Sequence, residues 1–93
     1  MSLKGHVILI IEPNILISAG LEWELDRVDA LSLVVREPRG GRGLEYIRRS
    51  DFSAAAVNVQ FGEVAKALPV PLVLYGNDDQ PGQIVARLAA LLA

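Results

Sequence analysis

Apolar and polar positions alternate between two periods along the chain. Val7-Ile8-Leu9-Ile10-Ile11 is unbroken and mostly β-branched, which predicts a strand buried on both faces. Glu12-Pro13-Asn14 breaks it, and Asn14 is placed to cap a helix over Ile15–Arg27. Within that helix Ile17, Leu21, Leu25 and Val28 recur at spacings of four and three, giving one apolar stripe, while Glu22, Glu24, Asp26 and Arg27 mark a wet side. Leu31-Ser32-Leu33-Val34-Val35 reads as a second strand, followed by the breaker-rich stretch Glu37-Pro38-Arg39-Gly40-Gly41-Arg42-Gly43.

The second half repeats the scheme with weaker signals. A short helix is expected over 44–49, with Leu44 and Ile47 inward. Ala54-Ala55-Ala56-Val57-Asn58-Val59 has alanines that favour helix. Its place before Gln60-Phe61-Gly62 and its small side chains, which a crowded sheet tolerates, assign it as a third strand. A short helix over 63–68, a fourth strand over 70–75 set off by Pro69 and Pro71, a polar loop over 76–82 and a final helix over 84–92 complete the reading. Ile84, Leu88, Leu91 and Leu92 form the apolar face of that last helix. Strands alternating with helices through short connections predict a parallel sheet with right-handed crossovers in a single domain over residues 1–93.

Composition narrows the function classes. The apolar fraction is 52% but the aromatic fraction only 5%, so the core is aliphatic, as a sheet covered by helices requires. A net charge of −2 argues against a general nucleic-acid binder. Without cysteine the chain has neither a disulfide framework nor a thiolate metal site. The apolar run at Val7–Ile11 is far too short to span a bilayer, and the N-terminus has no secretory layout, so a cytoplasmic protein without membrane contact is expected.

Three strings resemble the receiver domain of two-component response regulators. VILIIEPNILISAGLEWEL is similar to that family's first strand, acidic turn and first helix. EPRGGRGLEYIRRSDFSAAAVNVQFG resembles the end of its second strand, a glycine-containing turn, the second helix and the third strand; LPVPLVLYGN resembles its proline-introduced fourth strand. The resemblance covers roughly residues 6 to 77. It implies a flavodoxin-like three-layer α/β sandwich. The eighteen residues after Tyr75 are too few for the helix, fifth strand and helix that a receiver places there, so the expected sheet has four strands in order 2-1-3-4 and lacks the fifth.

An active receiver, by the same resemblance, carries a phosphoacceptor aspartate at the end of its third strand and an acidic pair that holds Mg²⁺ after the first. A hydroxyl after the fourth strand and a lysine after the fifth grip the phosphoryl oxygens. In this chain the phosphoacceptor position falls on Asn58, an amide that cannot form an acyl phosphate. The acidic pair falls on Glu12 and Pro13, so one carboxylate stands where two are needed. The hydroxyl position falls on Gly76, or on Tyr75 if the strand is slipped by one. Lys4 and Lys66, the two lysines, both precede the end of the fourth strand. The resemblance therefore implies a degenerate receiver with no catalytic residue, no metal and no cofactor, working in phosphorelay signalling through protein contacts.

Other residues have plainer readings. Glu12 taken alone is a solvated carboxylate at a strand end, and Asn58 a turn-capping amide. The Gly40-Gly41-Arg42-Gly43 turn lacks the Gly-Lys-Ser/Thr of a phosphate loop and follows the second strand rather than the first. Five of nine basic residues lie between Arg36 and Arg49, interleaved with Glu37 and Glu45, as on a solvated face. His6 sits at a strand entrance with no triad partners in its neighbourhood. Trp23, off the apolar stripe, is a candidate interface residue, with packing at the helix end as its plainer reading. So are Val70, Leu72 and Leu74, because a fourth strand without a fifth leaves an open edge that the terminal helix or a second copy in a homodimer is expected to cover. Two other function classes stay open: a receiver-like switch that still answers a phosphoryl group or metal, and a small flavodoxin-like nucleotide binder using the carboxyl edge of the sheet.

Overall fold

β1 (Val7–Ile11) is the strand around which the rest is laid, for its aliphatic run can be satisfied only by neighbours on both sides and cover on both faces. In the computed structural model, which describes residues 1–37 and 52–93, it pairs in parallel with β2 (Leu31–Val35) and with β3 (Ala54–Asn58). β3 pairs in parallel with β4 (Leu72–Tyr75), which gives the order β2-β1-β3-β4. The registers Ile11↔Val35, Ile11↔Val57 and Asn58↔Tyr75 bring the carboxyl ends of all four strands to one edge. With helices on both faces, this is a flavodoxin-like α/β fold.

α1 (Ile15–Arg27) begins where the sequence places it, because the Asn14 Oδ1 accepts hydrogen bonds from the backbone N–H of Leu16 at 2.9 Å and Ile17 at 3.2 Å. Its end is a Schellman turn. The Ala30 N–H reaches the Leu25 carbonyl and the Asp29 N–H reaches that of Asp26, with Asp29 rather than glycine holding the left-handed conformation at φ 65°. α2 (Gly62–Lys66) follows a 3₁₀ turn at Val59–Phe61, and α3 (Pro81–Leu92) closes the described chain.

The period-two alternation of the strands divides the core. On one face Ile8, Ile10, Ala54, Ala56, Val73 and Tyr75 meet Leu21 and Leu25 of α1 and Ile84, Val85 and Leu88 of α3. On the other, Leu9, Ile11, Ala55 and Val57 meet Phe52, Phe61, Ala65 and Leu68. α1 approaches α3 tightly at Gly20, where a Cβ would stand 3.2 Å from the Pro81 ring; this explains a glycine inside a helix. The alanines of β3 are wholly buried under these layers. Small strand residues there let both helical layers approach the middle of the sheet.

Several boundaries differ from the sequence reading. β3 ends at Asn58 and not at Val59, since the Asn58 side chain caps the 3₁₀ turn that begins at Val59. β4 begins at Leu72, two residues later than expected, because pairing starts with the Pro71 carbonyl and Pro69 and Pro71 have no N–H to extend the ladder. α2 starts and stops earlier than 63–68. α3 starts at Pro81 instead of residue 84: Gln80 and Gln83 form a reciprocal capping box, and proline fits the first helical position. Its buried stripe is Ile84, Val85 and Leu88, with Leu92 partly buried. Leu91, placed on the inner face by the sequence reading, lies at the margin of that stripe and is exposed. The helix expected over 44–49, with Leu44 and Ile47, and the Gly40–Gly43 turn lie outside the described residues.

Two leucines of α1 test this packing. Leu21 is fully buried between sheet and helices, whereas Leu16 is 82% exposed. Leu21→Ala is expected to destabilise the fold by about 2–5 kcal/mol in urea unfolding. Leu16→Ala is expected to change it by no more than about 0.5 kcal/mol. Equal effects would contradict the assignment of the inner face of α1.

Candidate functional site

Three strands deliver one polar side chain each to the carboxyl edge of the sheet. Glu12 follows β1, Asn58 ends β3, and Tyr75 ends β4 directly opposite Asn58. The sequence reading of Glu12 as a solvated carboxylate is overturned: its exposure is 0%. It follows directly on the buried β1 run.

The carboxylate is satisfied from within. Its Oε1 accepts hydrogen bonds from the Asn58 Nδ2 at 2.9 Å and the Tyr75 hydroxyl at 2.8 Å, and its Oε2 accepts from the Asn14 backbone N–H at 2.9 Å. Asn58 is equally committed, since its Oδ1 accepts from the Gln60 N–H at 3.0 Å. The two contacts fix which end of the amide is oxygen, because the carboxylate only accepts and the N–H only donates. Asn58 is thus both the turn-capping amide the sequence indicated and a donor to Glu12 from the end of β3. Among the described residues no buried side-chain nitrogen or oxygen lacks a partner.

Tyr75 is the phenol of this cluster. Burial, then its hydrogen bond to the Glu12 carboxylate and the repulsion of that charge for a phenolate, push its ionisation far above the ordinary value of 10.0. Of the two candidates for the hydroxyl position, Tyr75 brings an oxygen to Glu12, while Gly76 donates its backbone N–H to the Asp79 Oδ2 at 2.8 Å.

A shallow cleft of about 380 Å³ lies above the cluster, lined by Glu12, Pro13, Asn14, Ile17, Asn58, Gln60 and Asn77. Its polar lining consists of one carboxylate and several amides. Among the described residues no group of three or more His, Cys, Asp and Glu could hold a metal ion. Arg36, at the end of β2, reaches the buried Ser18 hydroxyl at 3.3 Å. Lys66 pairs with Glu63 at 3.1 Å on α2. His6 lies just before β1, far along the strands from this edge.

The residues proposed for contact separate into two places. Trp23 is 60% exposed on α1 beside Leu31 of β2, with the Arg27 guanidinium 4.8 Å from its ring centre. Leu72 and Leu74 lie on β4 at the opposite edge, with Val70 partly buried just before them. α3 lies over one face of the β4 region. From it Arg87 reaches round to donate to the Leu74 carbonyl at 3.0 Å while standing 3.8 Å from Asp79. This clamp escaped the sequence reading, as did the burial of Glu12; the first joins residues 13 apart, the second residues up to 63 apart. Of the basic stretch from Arg36 to Arg49, only Arg36 is among the described residues. Among the described residues no helix is long and apolar enough to cross a membrane.

No family model, curated protein or solved structure matches the chain.

The phenol's shift has a definite consequence for stability. The folded state keeps the Tyr75 proton at pH values where the unfolded chain releases it, so this contribution is intact below about pH 10 and is lost as pH rises beyond it. Tyr75→Phe is expected to destabilise the protein by about 1–3 kcal/mol at neutral pH, by leaving a buried carboxylate short of one donor. It should also flatten the loss of stability between about pH 9 and 11, followed by denaturant titration at each pH. A variant with unchanged stability and an unchanged alkaline slope would exclude the hydrogen bond.

Proposed function

We propose that this chain is a phosphorylation-incompetent, receiver-like module of two-component signalling that acts through protein–protein contact. One observation carries the reading: the only carboxylate of the cluster is buried and occupied by three internal donors. Three of the roughly four lone-pair positions of the Glu12 carboxylate are taken by these donors, so it offers Mg²⁺ at most one contact without releasing a donor, and each buried group so released costs about 1–3 kcal/mol. Among the described residues no second acidic side chain lines the cleft to repay this, and Mg²⁺ is bound through several oxygens at near-octahedral geometry. Asn58 offers no carboxylate to phosphorylate. The polar cluster thus does structural work where a receiver does chemistry, which supports a function through surface contact.

A second reading is a small-molecule binder, favoured by the position of the cleft at the carboxyl edge of a parallel sheet, where flavodoxin-like folds take ligands. Thermal-shift screening with nucleotides and flavins separates the two; a reproducible rise in melting temperature favours the binder.

The main reading is tested by incubating the protein with Mg²⁺ and a small phosphodonor and weighing it intact. The expected result is no added phosphoryl group, either for the natural chain or for Asn58→Asp, which retains Pro13 and gains no lysine. Asn58→Asp is also expected to unfold at lower denaturant, since it sets a second carboxylate against Glu12 in place of a donor. A stoichiometric mass gain in the natural chain would overturn the proposal.

A further inference from the structure

The contact surface can be specified further, on the reading that contact is this module's output. β4 is an edge strand, and its backbone parity is fixed by the Ala55 N–H, which donates to the Pro71 carbonyl at 2.9 Å. Backbone groups of Pro71, Val73 and Tyr75 therefore point toward β3, and those of Leu72 and Leu74 point away from the sheet. Proline commonly blunts an exposed edge by removing a donor. Here Pro71 falls on the inward parity, so the outer edge keeps its N–H groups. The Leu74 carbonyl is occupied by Arg87. The Leu72 N–H, the Leu72 carbonyl and the Leu74 N–H remain open to a further strand among the described residues.

The face beside this edge is apolar and unshared with α3. Leu72 and Leu74, together with Gly62 and Ala65 of α2, line a groove of about 350 Å³, and Leu74 is 41% exposed. The two charges on the groove are Glu63 and Lys66, both largely exposed. They pair with each other at 3.1 Å, one turn apart on the helix, so the patch is locally neutral and offers no net charge to a partner of one dominant sign. A copy of the same patch, turned by a two-fold axis, brings an equally neutral pair whose acid and base can be exchanged with this one.

We propose that β4 is a self-association edge, where two copies of this chain pair their β4 strands antiparallel about a two-fold axis beside Leu72 and continue the sheet. In this register the Leu72 N–H of each copy donates to the Leu72 carbonyl of the other, and Arg87 keeps its hold on the Leu74 carbonyl. The Leu72 and Leu74 side chains of both copies form one apolar strip. The two α2 helices run antiparallel beside it, which sets Glu63 of each copy toward Lys66 of the other. The contact is isologous and therefore closes at two copies.

Analytical ultracentrifugation of the full chain over a wide concentration range tests this. The expected species is a reversible dimer. Leu74→Lys, which places a charge on the edge at an already exposed position, is expected to give a monomer with an unchanged circular dichroism spectrum. Glu63→Lys or Lys66→Glu alone is expected to raise the dimer dissociation constant roughly tenfold or more by setting like charges together, and the double exchange to restore it. A monomer at every concentration, a dimer untouched by Leu74→Lys, or a double exchange that restores nothing would each overturn the proposal. The outcome is separable from the phosphotransfer test. A phosphoryl mass gain would overturn the contact-only reading and leave a measured dimer standing, whereas a monomer that takes no phosphoryl group would overturn only the paired edge.

Discussion

A carboxylate with no exposure to water has to be solvated by the protein, and Glu12 is solvated by donors from three separate parts of the chain. Asn58 and Tyr75 lie 46 and 63 residues away, so the cluster closes only when β1, β3 and β4 have docked in register. A shift of one residue turns every side chain of a strand to the other face and takes its donor away from Glu12. An isolated buried charge is expensive, and this one makes any misregistered sheet more expensive than the native one. Its contribution is thus to the uniqueness of the strand order as much as to the depth of the folded state.

The remaining architecture follows from how few residues must cover both faces of the sheet. Alanines in β3 keep its centre thin, and Gly20 lets α3 lie against α1. Because α3 packs directly after β4 on the α1 side, the opposite face of β4 is left to the five residues of α2. The open groove at Leu72 and Leu74 is therefore a direct consequence of where the last helix goes. Arg87 restrains the edge at one carbonyl and leaves the others open.

The sequence was most legible where a single residue sees the same environment on all sides. The unbroken run of β1 and the Asn14 cap carry their meaning locally, and their boundaries agree with the structure residue for residue. Legibility fell where a local preference competes with a distant one. The alanines of β3 favour helix by propensity but are drawn into the sheet by burial, and Gln80 caps α3 although it lies outside the usual capping residues. The proline pair shifted the start of β4 through donors it lacks, an effect that depends on which strand lies alongside. At the site, the identities of Glu12, Asn58 and Tyr75 were readable, but the burial of Glu12 was not. Nothing beside Glu12 in the chain announces an amide and a phenol from two other strands.

That gap between identity and burial bears on how a switch could be lost. A receiver-like pocket must hold a carboxylate accessible enough to exchange water for metal and phosphoryl oxygens. On the proposed reading, an amide stands at the acceptor position, and the same amide and a phenol both bond to one oxygen of the remaining acid, so the two features act in the same direction. With Asn58 bonded at both ends of its amide and the Tyr75 hydroxyl bonded to Glu12, no second arrangement of the cluster comes at equal cost. Allosteric response requires two states that a ligand can bias. A cluster with every buried polar atom paired favours one. On the proposed reading, regulation must then enter through the amount of the protein and the occupancy of its exposed edges, because the centre of the sheet is a fixed joint and not a responsive site.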